Sequence, residues 1–356
     1  MTMDKKTIAL LGISVLILVG ILYFVGIDKV IEALKMANLH LIALAIGVQI
    51  FTYFLYTLRW KVLNNVAGID VGFKKLLPMV LVGLAVNNIT PSGRGGGEPV
   101  RAYLLYRENE EYTFDETFAA VVADRALDTF PFVVLAAVTI ASMALFFDFD
   151  TGLLIVMVLS VIVILALLFA LIYMCINLDF GKRVEGWIIG LVRRFYKKDT
   201  ESLENTIHDS IVGFQHTMRV LMSDKKGLAY GLILSFLIWI FEILRVYIVF
   251  LAFGAKVNPI VVGEVFIVAC LVGMIPLLPG GLGSIDILMI ALYSAAGVPR
   301  SISATATFIE RLISFWMATL IGMAILPYYG SSVLDKISFS GSPEEIDEVN
   351  KIESNE

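Results

Sequence analysis

Charge is scarce in this chain: Asp, Glu, Lys and Arg make up 17% of its 356 residues, against 58% hydrophobic residues. Soluble domains carry about 25% charged and about 45–50% apolar residues, so a large soluble domain is excluded. Histidine occurs three times, at His40, His208 and His216, with no ligand spacing, so no metal site and no cofactor are expected. The two cysteines, Cys175 and Cys270, lie inside apolar runs and form neither a disulfide framework nor a metal motif. A G-K-[ST] sequence is missing after the glycines, which excludes a nucleotide-binding P-loop. The net charge of −5 comes mostly from the C-terminal stretch, and nucleic-acid binding has no support.

Long apolar runs take the place of what is lacking. They fall at 7–27, 39–60, 76–90, 118–147, 151–177, 227–253, 258–279, 283–297 and 303–329. A membrane-spanning helix needs roughly 20 apolar residues. Thr7–Ile27, behind Lys5 and Lys6, is too long for the core of a signal peptide and lacks a small-residue cleavage site, so it reads as a retained span. Lys/Arg-rich loops stay cytoplasmic. Asp179 to Lys226 carries nine such residues, and Arg59, Lys61, Lys74 and Lys75 mark a second cytoplasmic loop. These constraints agree if 76–107 and 258–297 are re-entrant hairpins. The expected fold is an all-α polytopic membrane protein with about six full spans, two re-entrant broken-helix hairpins and both termini cytoplasmic. Two crossings per hairpin would keep the same parity, so eight or more spans stay open. The multi-pass chain is expected in the cell membrane.

The expected domain plan is one transmembrane domain, 1–330, with an amphipathic cytoplasmic segment at 178–226 and a disordered acidic tail at 331–356. The amphipathic helices either lie in the headgroup plane or pack against the cytoplasmic ends of the spans.

An internal repeat organises the rest. Pro91-Ser-Gly93-Arg94-Gly95-Gly-Gly-Glu98 and Pro279-Gly-Gly281-Leu-Gly283-Ser-Ile-Asp286 share P-x-G-x-G-x-x-[DE], 188 residues apart. Ala120-x-x-x-Asp124-Arg125 and Ala306-x-x-x-Glu310-Arg311 are 186 apart, as are Leu58-Arg59 and Leu244-Arg245. Unit one covers about 40–147 and unit two about 227–329. The charge bias turns 39–60 inward and 227–253 outward, so the units are expected to be inverted. Inverted repeats with broken helices near the midplane mark transporters whose substrate sits between the repeats.

Each residue type has a reason to be there. Pro91 and Pro279 end their helices, and Gly93, Gly95, Gly281 and Gly283 admit a ligand or a positive φ. Helices restarting at Glu98 and Asp286 aim N–H groups at the break, an anion-binding arrangement; pure helix capping is the alternative for both acids. Arg94 and Arg101 add positive charge, and arginine forks match phosphate. A mid-helix charge costs roughly 2.5–3.5 kcal/mol on insertion scales, so Asp124, Arg125, Asp128, Glu310 and Arg311 should face inward. Adjacent acid and arginine do not share a helix face, so each needs a partner elsewhere, such as Arg101 or Arg245, either in a structural ion-pair network or at a headgroup or proton site. Glu242 and Arg245, three apart, can pair directly. Glu264 is either an interfacial acid or a proton carrier.

Asn88-Ile-Thr-Pro91-Ser-Gly-Arg94-Gly-Gly-Gly-Glu98-Pro-Val-Arg101, together with Pro279–Asp286 and Glu310-Arg311, resembles the two signatures of the flippase-like transmembrane domain of lysylphosphatidylglycerol synthases and their stand-alone relatives. The resemblance covers about 5–330. It implies movement of a phospholipid or polyprenyl-linked lipid between leaflets. A soluble aminoacyl-transfer domain is not expected in this chain, so the resemblance argues against lipid aminoacylation and against an enzyme. Asp286 stands where many relatives have Glu. The expected partner is a membrane lipid with a phosphate-bearing headgroup, held by Arg94, Glu98, Arg101, Asp124, Arg125, Arg245, Asp286, Glu310 and Arg311. A membrane-embedded lipid-modifying enzyme and a non-transporting scaffold for envelope glycan assembly are the alternatives. A homo-oligomer is compatible with the sequence.

Overall fold

The computed structural model describes residues 35–90, 96–109, 111–146, 151–195, 201–273 and 283–329. Every regular element among them is helical. Five helices are long and apolar enough to cross a membrane, matching five of the six expected full spans. The sixth, 7–27, lies outside the described residues, as do the tail at 331–356 and the break residues Pro91, Gly93, Arg94, Gly95, Pro279 and Gly281.

The described residues open with α1 (Leu39–Val66), a short α2 (Phe73–Ile89), a shorter α3 (Gly97–Tyr106) and a long α4 (Phe114–Phe146). Then come α5 (Thr151–Ile176), α6 (Leu178–Phe195) and α7 (Glu201–Ser223). The opening succession then returns: α8 (Lys225–Ala252), α9 (Pro259–Gly273), α10 (Ser284–Ala295) and α11 (Arg300–Arg311). A π-helical turn at Leu312–Trp316 joins α11 to α12 (Met317–Ile325), and Leu326–Tyr329 closes as a 3₁₀ turn.

The repeat reaches the helix ends. The Asn38 side chain accepts from His40 and Leu41 N–H at the start of α1, and Asp224, 186 residues on, accepts from Lys226 and Gly227 at the start of α8. Gly68 and Gly254, also 186 apart, take φ of 82° and 71° where those helices stop. Only a residue without a Cβ adopts that left-handed turn without strain. Ile69 N–H then reaches the Asn64 carbonyl at 2.8 Å, and Ala255 N–H the Phe250 carbonyl at 3.1 Å.

α1 and α8 pack antiparallel along their whole length. Val66 meets Gly227, Arg59 bonds Ser235, Gln49 bonds Arg245, and Asn38 N–H reaches the Ala252 carbonyl. The short helices form two hairpins. Seventeen and ten residues at 1.5 Å each give about 26 and 15 Å, less than the roughly 30 Å of hydrocarbon. At the mouth of the first, Lys75 pairs with Glu108, and the Tyr112 hydroxyl bonds the backbone of Asp70. At the mouth of the second, Tyr293 reaches the Val262 carbonyl, and Val257 and Val298 share one apolar cluster. The first mouth follows the Val66 end of α1. The second follows the Ala252 end of α8, which lies beside Asn38. The hairpins therefore enter the α1–α8 pair from opposite ends.

Close backbone approach holds the hairpins in place. Gly97 lies against the Gly83 carbonyl within the first hairpin, and Gly322 of α12 lies against the Leu81 carbonyl of α2. A Cβ on Gly322 would be driven into that oxygen and into Ala85. Gly322→Ala is expected to destabilise the protein by about 1–3 kcal/mol, read as a lower unfolding midpoint in detergent. Gly47→Ala, inside α1 with open space around it, should instead stabilise by about 0.5–1 kcal/mol.

The segment between the units settles one open choice. Phe214, Met218 and Leu221 of α7 pack on Ala119, Ala123 and Cys175 of α4 and α5. Gln215 and Arg219 bond the Met174 and Cys175 carbonyls, occupying acceptors that the end of α5 leaves open. α7 therefore packs on the ends of the spans.

Candidate functional site

The buried charges form two clusters with one design. In unit one, Arg59 of α1 donates from Nε to Asp124 at 2.7 Å and from Nη1 to Asp128 at 2.6 Å, both on α4. In unit two, Arg245 of α8 donates from Nη2 to Glu310 on α11 at 2.7 Å. Arg59 and Arg245 are 186 apart, and so are Asp124 and Glu310. The second pairing repeats as well. Arg125 donates to Glu98 at 2.8 Å through Nε, with a further bond from Nη2, while Arg311 Nε lies 3.0 Å from Asp286.

The clusters also interlock. Arg59 donates to Ser235 on α8 at 3.0 Å, and Arg245 donates to Gln49 on α1. Gln49 and Ser235 are again 186 apart. Each arginine thus bonds the other unit at an equivalent position.

One expectation is corrected here, and the other site residues take their places around it. Arg59 is no loop residue: it is 1% exposed inside α1 and anchors the first cluster. Arg101 donates from both terminal nitrogens to Asp124 at 3.1 Å and stacks on the Trp60 ring at 4.2 Å, so it buttresses Asp124. Asp286 both caps α10, accepting from Gly283 N–H at 2.9 Å, and pairs with Arg311. Glu98 is held instead by Arg125 and by Asn87, whose Oδ1 also accepts from Gly97 N–H. Glu264 is buried in α9, five residues from the Pro259 start of that helix. The direct Glu242–Arg245 pair forms as expected.

Between the units lies a cavity of about 150 Å³. Its wall is itself symmetric. Arg125 and Arg311, Asp128 and Ser314, Tyr56 and Glu242, Tyr53 and Trp239, and Leu84 and Cys270 all line it, each couple 186 apart. Arg245 and Glu310 complete the charged part of the wall. Gly283 opens α10 with φ of 79°. Arg311 carries its guanidinium 4.5 Å over the Phe315 ring, at the π-helical turn that follows it. Such turns concentrate at functional sites.

The charge is nearly balanced. Arginines 59, 101, 125, 245 and 311 face carboxylates 98, 124, 128, 242, 286 and 310. A ligand phosphate would therefore compete with Glu98 or Asp286 for an arginine and would not enter a bare positive pocket. The two halves differ where Glu242 replaces Tyr56 and Ser314 replaces Asp128. Sequence reasoning omitted Arg59, Gln49, Tyr56, Ser235 and Glu242 from the site. The 186-residue offset leads from Arg245 to Arg59 and from Glu242 to Tyr56, whereas Gln49 and Ser235 are found only through their bonds to Arg245 and Arg59.

Known proteins are similar to this chain over most of its length. The lysylphosphatidylglycerol synthase TM region matches residues 8–322. A UPF0104 membrane protein of Methanothermobacter thermautotrophicus is 46% identical over 335 residues, covering 94% of this chain and 99% of the relative. A UPF0104 membrane protein of Methanocaldococcus jannaschii is 32% identical, covering 89% and 93%. One from Pyrococcus horikoshii is 28% identical, covering 90% and 96%. With the paired hairpins, the apolar spans and a match across nearly its whole length, the chain belongs to the lysylphosphatidylglycerol synthase TM-region family of multi-pass membrane proteins.

Proposed function

We propose that the protein is a lipid transporter that carries a phosphate-bearing lipid headgroup between leaflets through the cavity between its two units. The observation that carries this reading is the symmetric wall. Antiparallel α1 and α8, and hairpins entering from opposite ends, support an inverted repeat, the architecture in which two halves alternate around a fixed site. In this reading the termini are cytoplasmic and residues 1–330 form one transmembrane domain.

Arg125 and Arg311 bind the headgroup. Each stands on the wall beside a carboxylate from the adjacent hairpin, which holds the guanidinium until phosphate displaces it. Arg59, Arg101, Asp124 and Glu310 hold the wall in shape. Arginine offers a planar fork of donors that suits phosphate oxygens. The near balance of charge favours a headgroup that enters as a zwitterion or with a counter-cation.

The test is leaflet exchange of labelled phosphatidylglycerol in reconstituted vesicles. Arg125→Ala and Arg311→Ala should each slow exchange about tenfold to a hundredfold, the loss of an about 1.5–3 kcal/mol charge-assisted bond. Wild-type rates in both variants would remove the site.

A further inference from the structure

Arg125 borders two hollows. One is the central cavity; the other is a groove of about 700 Å³ between α4 and α5. The groove lies between two places where these helices touch. Near one, Ala119 and Ala123 meet Cys175, with Leu171 packed alongside; near the other, Phe132 and Ala136 meet Met157, with Ile164 alongside. Its α5 wall runs from Val156 to Leu171, about 22 Å at 1.5 Å per residue, longer than half of the roughly 30 Å hydrocarbon core. Its charged residues are Glu98 and Arg125, on the side of the Leu171 contact.

Three features identify an occupant. The volume falls within the roughly 300–1,000 Å³ of ligand-binding clefts. The walls are aliphatic, and the Ser160 and Thr129 hydroxyls already donate to backbone carbonyls, so ordered water finds few partners. The Arg125 side chain stays 42% exposed despite its ion pairs, although a charge turned to hydrocarbon is costly. A slender apolar body with a phosphate at one end suits all three. Among the described residues, no helix follows α12 as α5 follows α4.

We propose that the α4–α5 groove holds one hydrocarbon chain of the transported lipid while the headgroup occupies the central cavity, with Arg125 at the junction. This rests on the transport reading above and adds the path taken by the chain. The lipid does not withdraw wholly from the membrane: headgroup and chain stay on opposite sides of one guanidinium.

The experiment fills the groove and varies the chain. Val163→Trp/Leu167→Trp narrows it, and Phe169→Trp, off the groove wall on exposed α5, is the control. Exchange of two labelled phosphatidylglycerols is measured in vesicles of phosphatidylethanolamine and phosphatidylglycerol: one with long chains, one with chains too short to enter the groove. The double variant should slow the long-chain lipid about tenfold, a barrier increase of about 1.4 kcal/mol, and leave the short-chain lipid at the wild-type rate. Retention of the short-chain rate also shows that the variant folds. Leu167→Gln, which adds polarity without bulk, should act in the same direction. Equal slowing of both lipids, or of neither, would overturn the groove assignment. So would a photo-crosslinker at Val163 that captures residues 7–27 of the chain in place of lipid. Wild-type protein that moves neither lipid would overturn the transport reading itself.

Discussion

Arg245→Ala is expected to lose about 3–5 kcal/mol of stability, the cost of breaking a buried ion pair by removing one partner. The guanidinium is fully buried and donates to Glu310, Glu242 and Gln49. Without it, a Glu310 carboxylate 2% exposed has lost the guanidinium that neutralised it. The cavity is too small to hydrate that charge as bulk water would. Unfolding in detergent, followed by tryptophan fluorescence, should show the midpoint falling sharply.

A second variant separates the pair's geometry from its charge. Arg245→Met/Glu310→Met removes both members and fills their volume with apolar atoms. Replacing a buried pair in this way is often neutral or stabilising. The double variant should therefore be clearly more stable than Arg245→Ala. It leaves Glu242, which lines the cavity and is the more accessible of the two acids. A double variant no more stable than the single one would mean that the loss comes from packing of the arginine stem and not from a stranded carboxylate. Arg245→Lys should fall between them, because one ammonium cannot reproduce a fork that serves three acceptors.

How this site could be read from sequence depends on residue type. Intramembrane acids and arginines announce themselves because burial makes them costly. Asp124, Arg125, Glu310 and Arg311 stood out on that ground, and their partners do come from other segments. The repeat was legible because Pro, Gly and paired charges are rare enough in apolar helices for a spacing of 186–188 to show. Arg59 was misassigned because an arginine near the end of an apolar run looks like one that snorkels to the headgroups. The Leu58-Arg59 and Leu244-Arg245 match already held the remedy: if Arg245 is intramembrane, its mate should be too. Gln49, Ser235 and Tyr56 carry no charge, and an uncharged polar residue in a long helix gives no signal until the buried arginines beside it are placed. The α4–α5 groove was illegible for another reason. It is a gap between two packed clusters, and hydropathy records which residues are apolar, not where neighbouring helices fail to meet.

Oxidation of an Asn88→Cys/Thr319→Cys pair is expected to bring lipid exchange down to the rate of protein-free vesicles, and reduction to restore it. The cavity holds about 150 Å³, below the roughly 300 Å³ at which ligand-binding clefts begin. A lipid headgroup can pass only if its walls part. The contact that keeps them together at the end of α2 is Asn88, whose side-chain amide donates to the Phe315 carbonyl at 3.0 Å and to the Thr319 hydroxyl at 2.8 Å. This bond joins the first hairpin to unit two at the π-helical turn behind Arg311. A covalent link there holds the hairpin on α12 while leaving both arginines in place. Loss of exchange on oxidation would thus report blocked motion and not a damaged binding site. Asn88→Cys alone, oxidised in parallel, should exchange at its reduced rate, since both native thiols are buried. Unchanged exchange in the linked protein would show that α2 and α12 stay together throughout. The opening would then have to come from the second hairpin, α9–α10, moving against α4, and a cysteine pair across that contact would be the one to stop exchange.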